Sequence, residues 1–158
     1  EVLNNNWNEL SLDGITLVQE YIEPKDGCIV RVEFIGGEFY YAVRVDASDG
    51  FELCPADDCH VEDTFCPTTE DVSLNKAKFE IIKNYYNPDL DKYKAFLKNS
   101  GMEIAAIEYV VNKNGEKYVY DVNVNTNYNS LAEKKHGEEL SGMRQIALFL
   151  GEEIKRIQ

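Results

Sequence analysis

The stretch Ile107-Glu108-Tyr109-Val110-Val111, followed after Asn114-Gly115 by Tyr120-Asp121-Val122-Asn123-Val124-Asn125, decides the fold. Asn-Gly between two β-rich runs is a strong hairpin signal, because both residues tolerate the positive φ of a tight turn. Residues 103–111 and 117–124 are therefore expected as paired antiparallel strands. A two-residue turn at 114–115 sets Glu108 directly opposite Asp121, and Tyr109 opposite Tyr120 as an aromatic pair on the other face. Opposed side chains stand with Cβ atoms ~4.5–5.5 Å apart, and like charges so placed destabilise a sheet. Something must offset that repulsion. Asn123, two residues past Asp121, projects from the same face. Glu, Asp and Asn oxygens converging there suit a hard cation, and Mg²⁺ takes one or two carboxylates plus phosphate oxygens and water. Two other readings stay open on spacing alone. The acids could point apart into solvent, or form a carboxylate pair for glycoside hydrolysis, which leaves Asn123 and Asn125 without a role.

Working outward, residues 28–35 and 38–45 are two more β-rich runs, separated by Gly36-Gly37 at the spacing of a two-residue hairpin. Upstream, Ile15-Thr16-Leu17-Val18-Gln19-Glu20-Tyr21-Ile22 reads as a buried strand, broken by the turn residues Glu23-Pro24-Lys25-Asp26-Gly27. Residues 46–74 have little periodicity and read as a long irregular excursion. Residues 76–85 are expected as a short helix. A clearer helix opens at Asn87-Pro88 and ends before Gly101, with Leu90, Tyr93, Ala95, Phe96 and Leu97 as its apolar stripe. From about Ser141 the tail is an amphipathic helix whose Met143, Ile146, Ala147, Leu150 and Ile154 are expected to pack on the core. Hairpins plus helices give an α+β class, a mostly antiparallel sheet packed with helices, in a single domain over 1–158.

The 158 residues carry 29 acidic against 16 basic side chains, a net charge of -13. That balance excludes a nucleic-acid-coating role, which leans on clustered Lys and Arg. It equally disfavours an anionic membrane surface. No apolar run approaches the ~18–20 residues that span a bilayer. The start, Glu1-Val2-Leu3-Asn4-Asn5-Asn6-Trp7, has neither the basic nor the apolar region of a secretory signal, and without an initiator Met it is expected to belong to a piece of a longer chain. Four cysteines in a chain with room for a proper core fit a reducing, cytoplasmic setting better than a disulfide framework.

The Glu108 and Asp121-Val122-Asn123 pattern resembles the metal-binding strands of the ATP-grasp superfamily, where an acid on one strand is followed about a dozen residues later by an acid-x-Asn motif on the next. Many members place Glu where this chain has Asp121. Upstream, Val18-Gln19-Glu20-Tyr21-Ile22 resembles the strand and hinge that bind the adenine edge in that superfamily. Gly27-Cys28-Ile29-Val30-Arg31, a Gly-containing hairpin and Arg44 follow, in an order similar to RimK-type α-glutamate ligases and glutathione synthetases.

The resemblance implies the carboxy-terminal lobe of an ATP-grasp fold, with ATP and Mg²⁺ (or Mn²⁺) as cofactors. Glu20, Tyr21 and Ile22 would line the adenine pocket, and Glu108, Asp121 and Asn123 would hold the metal. Arg31 and Arg44, two of only four arginines, would face phosphate or an acyl phosphate. The implied activity joins a small-molecule carboxylate to an amine or thiol. The expected partner is an amino-terminal lobe with phosphate-gripping lysines and a Gly-rich loop, without which the piece alone would be inactive. The acid that binds ribose in many members has no clear counterpart, since the near-equivalent slot holds Cys28-Ile29. A non-catalytic module of the same fold is the alternative.

Cys54-Pro55-Ala56-Asp57-Asp58-Cys59-His60 and Cys66-Pro67 form the remaining constellation. Three Cys and one His could make a Cys₃His zinc site in an interaction domain. The wide first spacing, the adjacency of Cys59 and His60, and the thiolate-disfavouring Asp57 and Asp58 weigh against it. The same stretch resembles a Cys-Pro-Ala-Asp-x-Cys run in uncharacterised ATP-grasp proteins, where it would face the acceptor. Inert, partly buried thiols are the plainest reading.

Overall fold

The computed structural model describes residues 19–48, 78–137 and 140–157. They form a five-stranded sheet and three helices. The strands are β1 (Cys28–Ile35), β2 (Glu38–Asp46), β3 (Phe79–Ile81), β4 (Ile104–Val111) and β5 (Lys117–Asn123). The helices are α1 (Leu90–Asn99), α2 (Ser130–His136) and α3 (Gly142–Ile157). The sheet order is β3-β2-β1-β4-β5 and every pairing is antiparallel. The α+β class with an antiparallel sheet is therefore as the sequence indicated.

The first hairpin forms where expected. Ile35 pairs with Glu38 across Gly36 and Gly37, whose φ values of 66° and 73° are those of a type I′ turn. The second hairpin differs from expectation in a consequential way. The Asn112 amide bonds the Glu116 carbonyl at 2.9 Å, so three residues, Lys113, Asn114 and Gly115, fill the loop. The Asn112 side chain organises it by accepting from the amides of Asn114 and Glu116, both at 2.9 Å, and Gly115 alone takes positive φ, at 84°. The strands thus start one residue out of the two-residue register, with Val111 opposite Lys117 and Tyr109 opposite Val119. A bulge at Tyr120 then absorbs one residue, and Glu108 pairs with Asp121. The expected Tyr109–Tyr120 pair does not exist, because Tyr120 is the bulged residue.

Strand alternation gives the sheet two distinct faces. Val32, Phe34, Ala42, Ala105, Ile107 and Tyr109 make one core with Tyr93 and Leu97 of α1. Ile29, Tyr41, Val43, Val45 and Val110 make the other, with Ala132 of α2 and the flanks of Tyr120 and Tyr128. Of the expected α1 stripe, Ala95 and Phe96 are exposed and the helix turns only Tyr93 and Leu97 fully inward. Its start is tied to β5 by Lys117, which donates to Asn87 Oδ1 at 2.7 Å and Asp89 Oδ2 at 2.8 Å. Pro88 lies in the preceding turn, so the helix begins later than the Asn-Pro signal placed it.

Three further expectations are corrected. Within 76–85, residues 79–81 are a strand pairing with β2 rather than part of a helix. Residues 19–22 carry no strand. The α3 stripe is not core: Met143, Leu150 and Ile154 are 66%, 48% and 54% exposed. The helix instead turns Phe149 inward, against Gly36 of the first hairpin. Residues 15–18 and most of the 46–74 excursion, with Cys54, Cys59, His60 and Cys66, lie outside the described residues.

Candidate functional site

Arg31, Glu108 and Asp121 share one face of the sheet. Arg31 on β1 pairs with Glu108 on β4, which pairs with Asp121 on β5, so the three stand in one row across the sheet. Arg31 Nε donates to Glu108 Oε1 at 2.7 Å, and both side chains are buried. The bulged Tyr120 turns onto this face and its hydroxyl donates to Glu108 Oε2 at 2.9 Å. Burial first, and then the Glu108 carboxylate, raise the phenol's pKa above its ordinary value. Each Glu108 oxygen therefore already holds one donor. Each also keeps a second lone pair. Asp121 is exposed at the end of the row.

The neighbouring row runs Tyr41, Glu33, Ala106, Asn123. Asn123 is partly exposed, and its Oδ1 accepts the Asn125 amide at 2.7 Å, starting the turn that leaves β5. The chain then crosses back over the sheet. Thr126 Oγ1 lies 3.0 Å from both carboxylate oxygens of Glu33, and the Asn127 carbonyl accepts from Arg31 Nη1 at 3.4 Å. Asn129 ends the segment as the cap of α2, accepting the Ala132 amide at 2.8 Å.

Burial pushes the Glu33 carboxyl up to about 7, with Arg31 and Thr126 opposing and Glu108 and Glu133 adding to the rise. Glu133 on α2 is also buried. It accepts from the Tyr41 hydroxyl at 2.9 Å and from the Gly142 amide, at the start of α3, at 2.6 Å. Glu33, Glu133 and Thr126 were not singled out from the sequence, and Tyr120 was expected on the other face, paired with Tyr109. The signal for Glu33 was present, since it shares a face with Arg31 in an otherwise apolar strand. No local signal marks Glu133, which is buried by contacts from β2 and α3.

The other expected site residues lie elsewhere. Arg44 pairs with Val30, on the opposite face from Arg31, and is exposed near Cys28 and Glu80. The two guanidinium groups do not share a face. A hydrogen bond with Cys28 is the main cause of a raised pKa at Arg44. Glu20 and Tyr21 are exposed, and Ile22 packs partly against the Ile29–Val110 core. The turn after them is held to the sheet by the Lys25 amide, 2.8 Å from the Val111 carbonyl.

Glu108, Asp121 and Asn123 would hold a cation only together with donors from outside the protein, not as a closed protein cage. Among the described residues no three His, Cys, Asp or Glu gather to hold a metal. Two carboxylates and one amide oxygen, all hard donors, are the complement that Mg²⁺ takes when phosphate and water supply the rest. Arg31 beside them is the donor that suits a phosphoryl oxygen. Among the described residues no helix is long and apolar enough to cross a membrane.

No protein-family model and no curated protein matches the chain. Solved structures do. The RiPP-associated ATP-grasp ligase of Chryseobacterium gregarium, in complex with ADP and a leader and core peptide, is similar at 18% identity and a TM-score of 0.49, over 83% of this chain and 34% of that one. The ATP-grasp ligase PsnB, complexed with a minimal precursor, is similar at 18% identity and a TM-score of 0.49, over 82% of this chain and 36% of its own. The macrocyclase MdnB of Microcystis aeruginosa MRC is similar at 16% identity and a TM-score of 0.46, over 83% and 38%. The chain spans about a third of the length of these proteins.

Proposed function

We propose that this chain forms the cation- and phosphate-binding face of an ATP- and Mg²⁺-dependent ligase that joins a carboxylate to an amine or thiol. The observation that carries this reading is the row of Arg31, buried Glu108 and Asp121, with Asn123 in the adjoining row. The sequence resemblance described above supports it from the order of the motifs.

In the proposed reaction a substrate carboxylate oxygen attacks the γ-phosphorus of ATP and the bond from that phosphorus to the β-bridging oxygen breaks, giving ADP and an acyl phosphate. The amine or thiol then attacks the acyl carbon and phosphate leaves. Such phosphoryl transfer is accelerated by positioning and charge neutralisation rather than by covalent participation of the protein. Glu108, Asp121 and Asn123 would hold Mg²⁺, which supplies neutralisation of the phosphate charge. Arg31 is pre-aimed by Glu108 and the Asn127 carbonyl, and has N–H groups left for a phosphoryl oxygen. Tyr120 orients Glu108 from the other side. Residues 20–22 would offer main-chain groups to the adenine edge. Arg44, on the far face, has no part in this set.

The test is Mn²⁺ binding with and without ADP, followed by the paramagnetic resonance of free Mn²⁺. Asp121→Asn is expected to weaken Mn²⁺–ADP binding by about tenfold or more, with the fold kept, because it removes one of few protein ligands. Binding equal to wild type for Asp121→Asn and Asn123→Ala alike overturns the reading in favour of a module without cation chemistry.

A further inference from the structure

Two buried acids on the site face, Glu33 and Glu133, have no use in the proposed chemistry, and Glu133 already holds the Tyr41 hydroxyl and the Gly142 amide. Glu33 is 1% exposed. Ala106 is its partner on β4, and Ala106 in turn pairs with Asn123 on β5. Adjacent strands lie ~4.8 Å apart, so Asn123 starts roughly 10 Å from the Glu33 strand. Three extended residues reach that far. The segment from Asn123 to Thr126 spans this distance, and Ala106 beneath it is too short to obstruct the crossing. At the far end two consecutive residues of the segment grip two same-face residues of β1. Thr126 is on Glu33, and Asn127 is on Arg31. A valine at 33 would suit the strand and carry no desolvation cost. The acid instead presents two oxygens to a single hydroxyl.

We infer that Glu33 is a positioning residue for this site: through Thr126 it holds the 123–127 segment across the sheet, and so sets where Asn123 and the Arg31 guanidinium stand relative to Glu108 and Asp121. The inference rests on the reading of Glu108, Asp121 and Asn123 as cation ligands. The hydrogen bond, not the charge, is what the role requires.

Two variants and two measurements test it. Thr126→Val keeps the shape and removes the hydroxyl. It is expected to raise amide exchange at Asn125, whose bond to Asn123 Oδ1 reports on the turn, and to leave β1 and β4 amides unchanged. Its Mn²⁺ affinity is expected to fall by about tenfold, the scale of lost outer partners at metal sites. Glu33→Gln still offers an oxygen to Thr126 and is expected to retain affinity within about threefold of wild type. Native exchange and native affinity in Thr126→Val overturn the inference. So does a Glu33→Gln variant that loses as much affinity as Thr126→Val while its exchange stays native, since Glu33 would then act as a charge. If Asp121→Asn and Asn123→Ala leave Mn²⁺ binding untouched, the ligand reading falls by itself, and the exchange measurement still decides whether Glu33 orders the segment.

Discussion

Arg31 is the one buried basic side chain among the described residues, and three buried acids, Glu33, Glu108 and Glu133, surround it on the same side of the sheet. Their partners differ. Glu108 has Arg31 and Tyr120, and Glu133 has Tyr41 and the first amide of α3. Glu33 has a single hydroxyl, which is the physical reason that burial prevails there and lifts its carboxyl from 4.5 to about 7. Between those two values the folded chain holds a proton that the unfolded chain has released, so stability falls as pH rises. The contribution is full below about pH 4.5 and is lost as pH rises through about 7. At ~1.4 kcal/mol per unit it amounts to at most roughly 3 kcal/mol. Glu33→Gln cannot titrate and should lack this slope. Urea unfolding at pH 5 and pH 8 should show wild type losing roughly 2–3 kcal/mol more than the variant. Equal pH dependence in the two would mean that Glu33 is ionised in the folded chain throughout. Asp121 and Glu108 were legible in the sequence because strand pairing alone opposes them. For Glu33 only the face it shares with Arg31 was legible; its partner was not, because Thr126 arrives from two strands away.

The pairing of Glu108 with Asp121 survives two departures from the simplest hairpin. Asn112 lengthens the loop by one residue, and the bulge at Tyr120 takes that residue back. Asn-Gly marks the turn without fixing its length, since the Asn112 side chain competes for the same amides. The bulge leaves no mark in a run as β-rich as Tyr118-Val119-Tyr120. Strand β3 was illegible for a different reason: three residues show no period, and it is pairing with β2 that makes them a strand. The junction of α2 and α3 is set by a glycine. A Cβ on Gly142 would stand 2.2 Å from Tyr128 Cδ1, while its amide is held by Glu133 at 2.6 Å. The helix start cannot yield without losing Glu133 this partner, and the Tyr128 ring is packed edge-on against Tyr41. Gly142→Ala is therefore expected to cost about 2–3 kcal/mol, at the upper end of overpacking penalties. Gly137→Ala, where a Cβ meets nothing within 4 Å, is the control and should stay within about 0.5 kcal/mol of wild type. Urea midpoints at constant m-value decide between them. A Gly142→Ala midpoint indistinguishable from the control would show that the Tyr128 ring moves freely.

At the scale of the molecule, the sheet is covered on one face by α1 and on the other by α2 and the crossing segment, while α3 leaves most of its apolar surface outside. Met143, Leu148, Leu150, Ile154 and Ile157 are all exposed, the last at 84%. Helical spacing of apolar residues states that one side of a helix is apolar, and it does not state which element covers that side. Here the inward contact is made by Phe149 on Gly36, and the stripe faces away from it. Fold stability should then be indifferent to the stripe and sensitive to the cores. Leu150→Gln and Ile154→Gln remove no buried contact, so each is expected to cost less than about 0.5 kcal/mol. Leu97, fully buried beneath α1, should cost about 2–5 kcal/mol on replacement by Ala. The two Gln variants should also add when combined, because exposed sites without a shared partner do not couple. Chemical denaturation of the two single variants, their double and Leu97→Ala provides the comparison. A loss above about 1.5 kcal/mol in either Gln variant would place the stripe against the rest of the chain, as part of the second core.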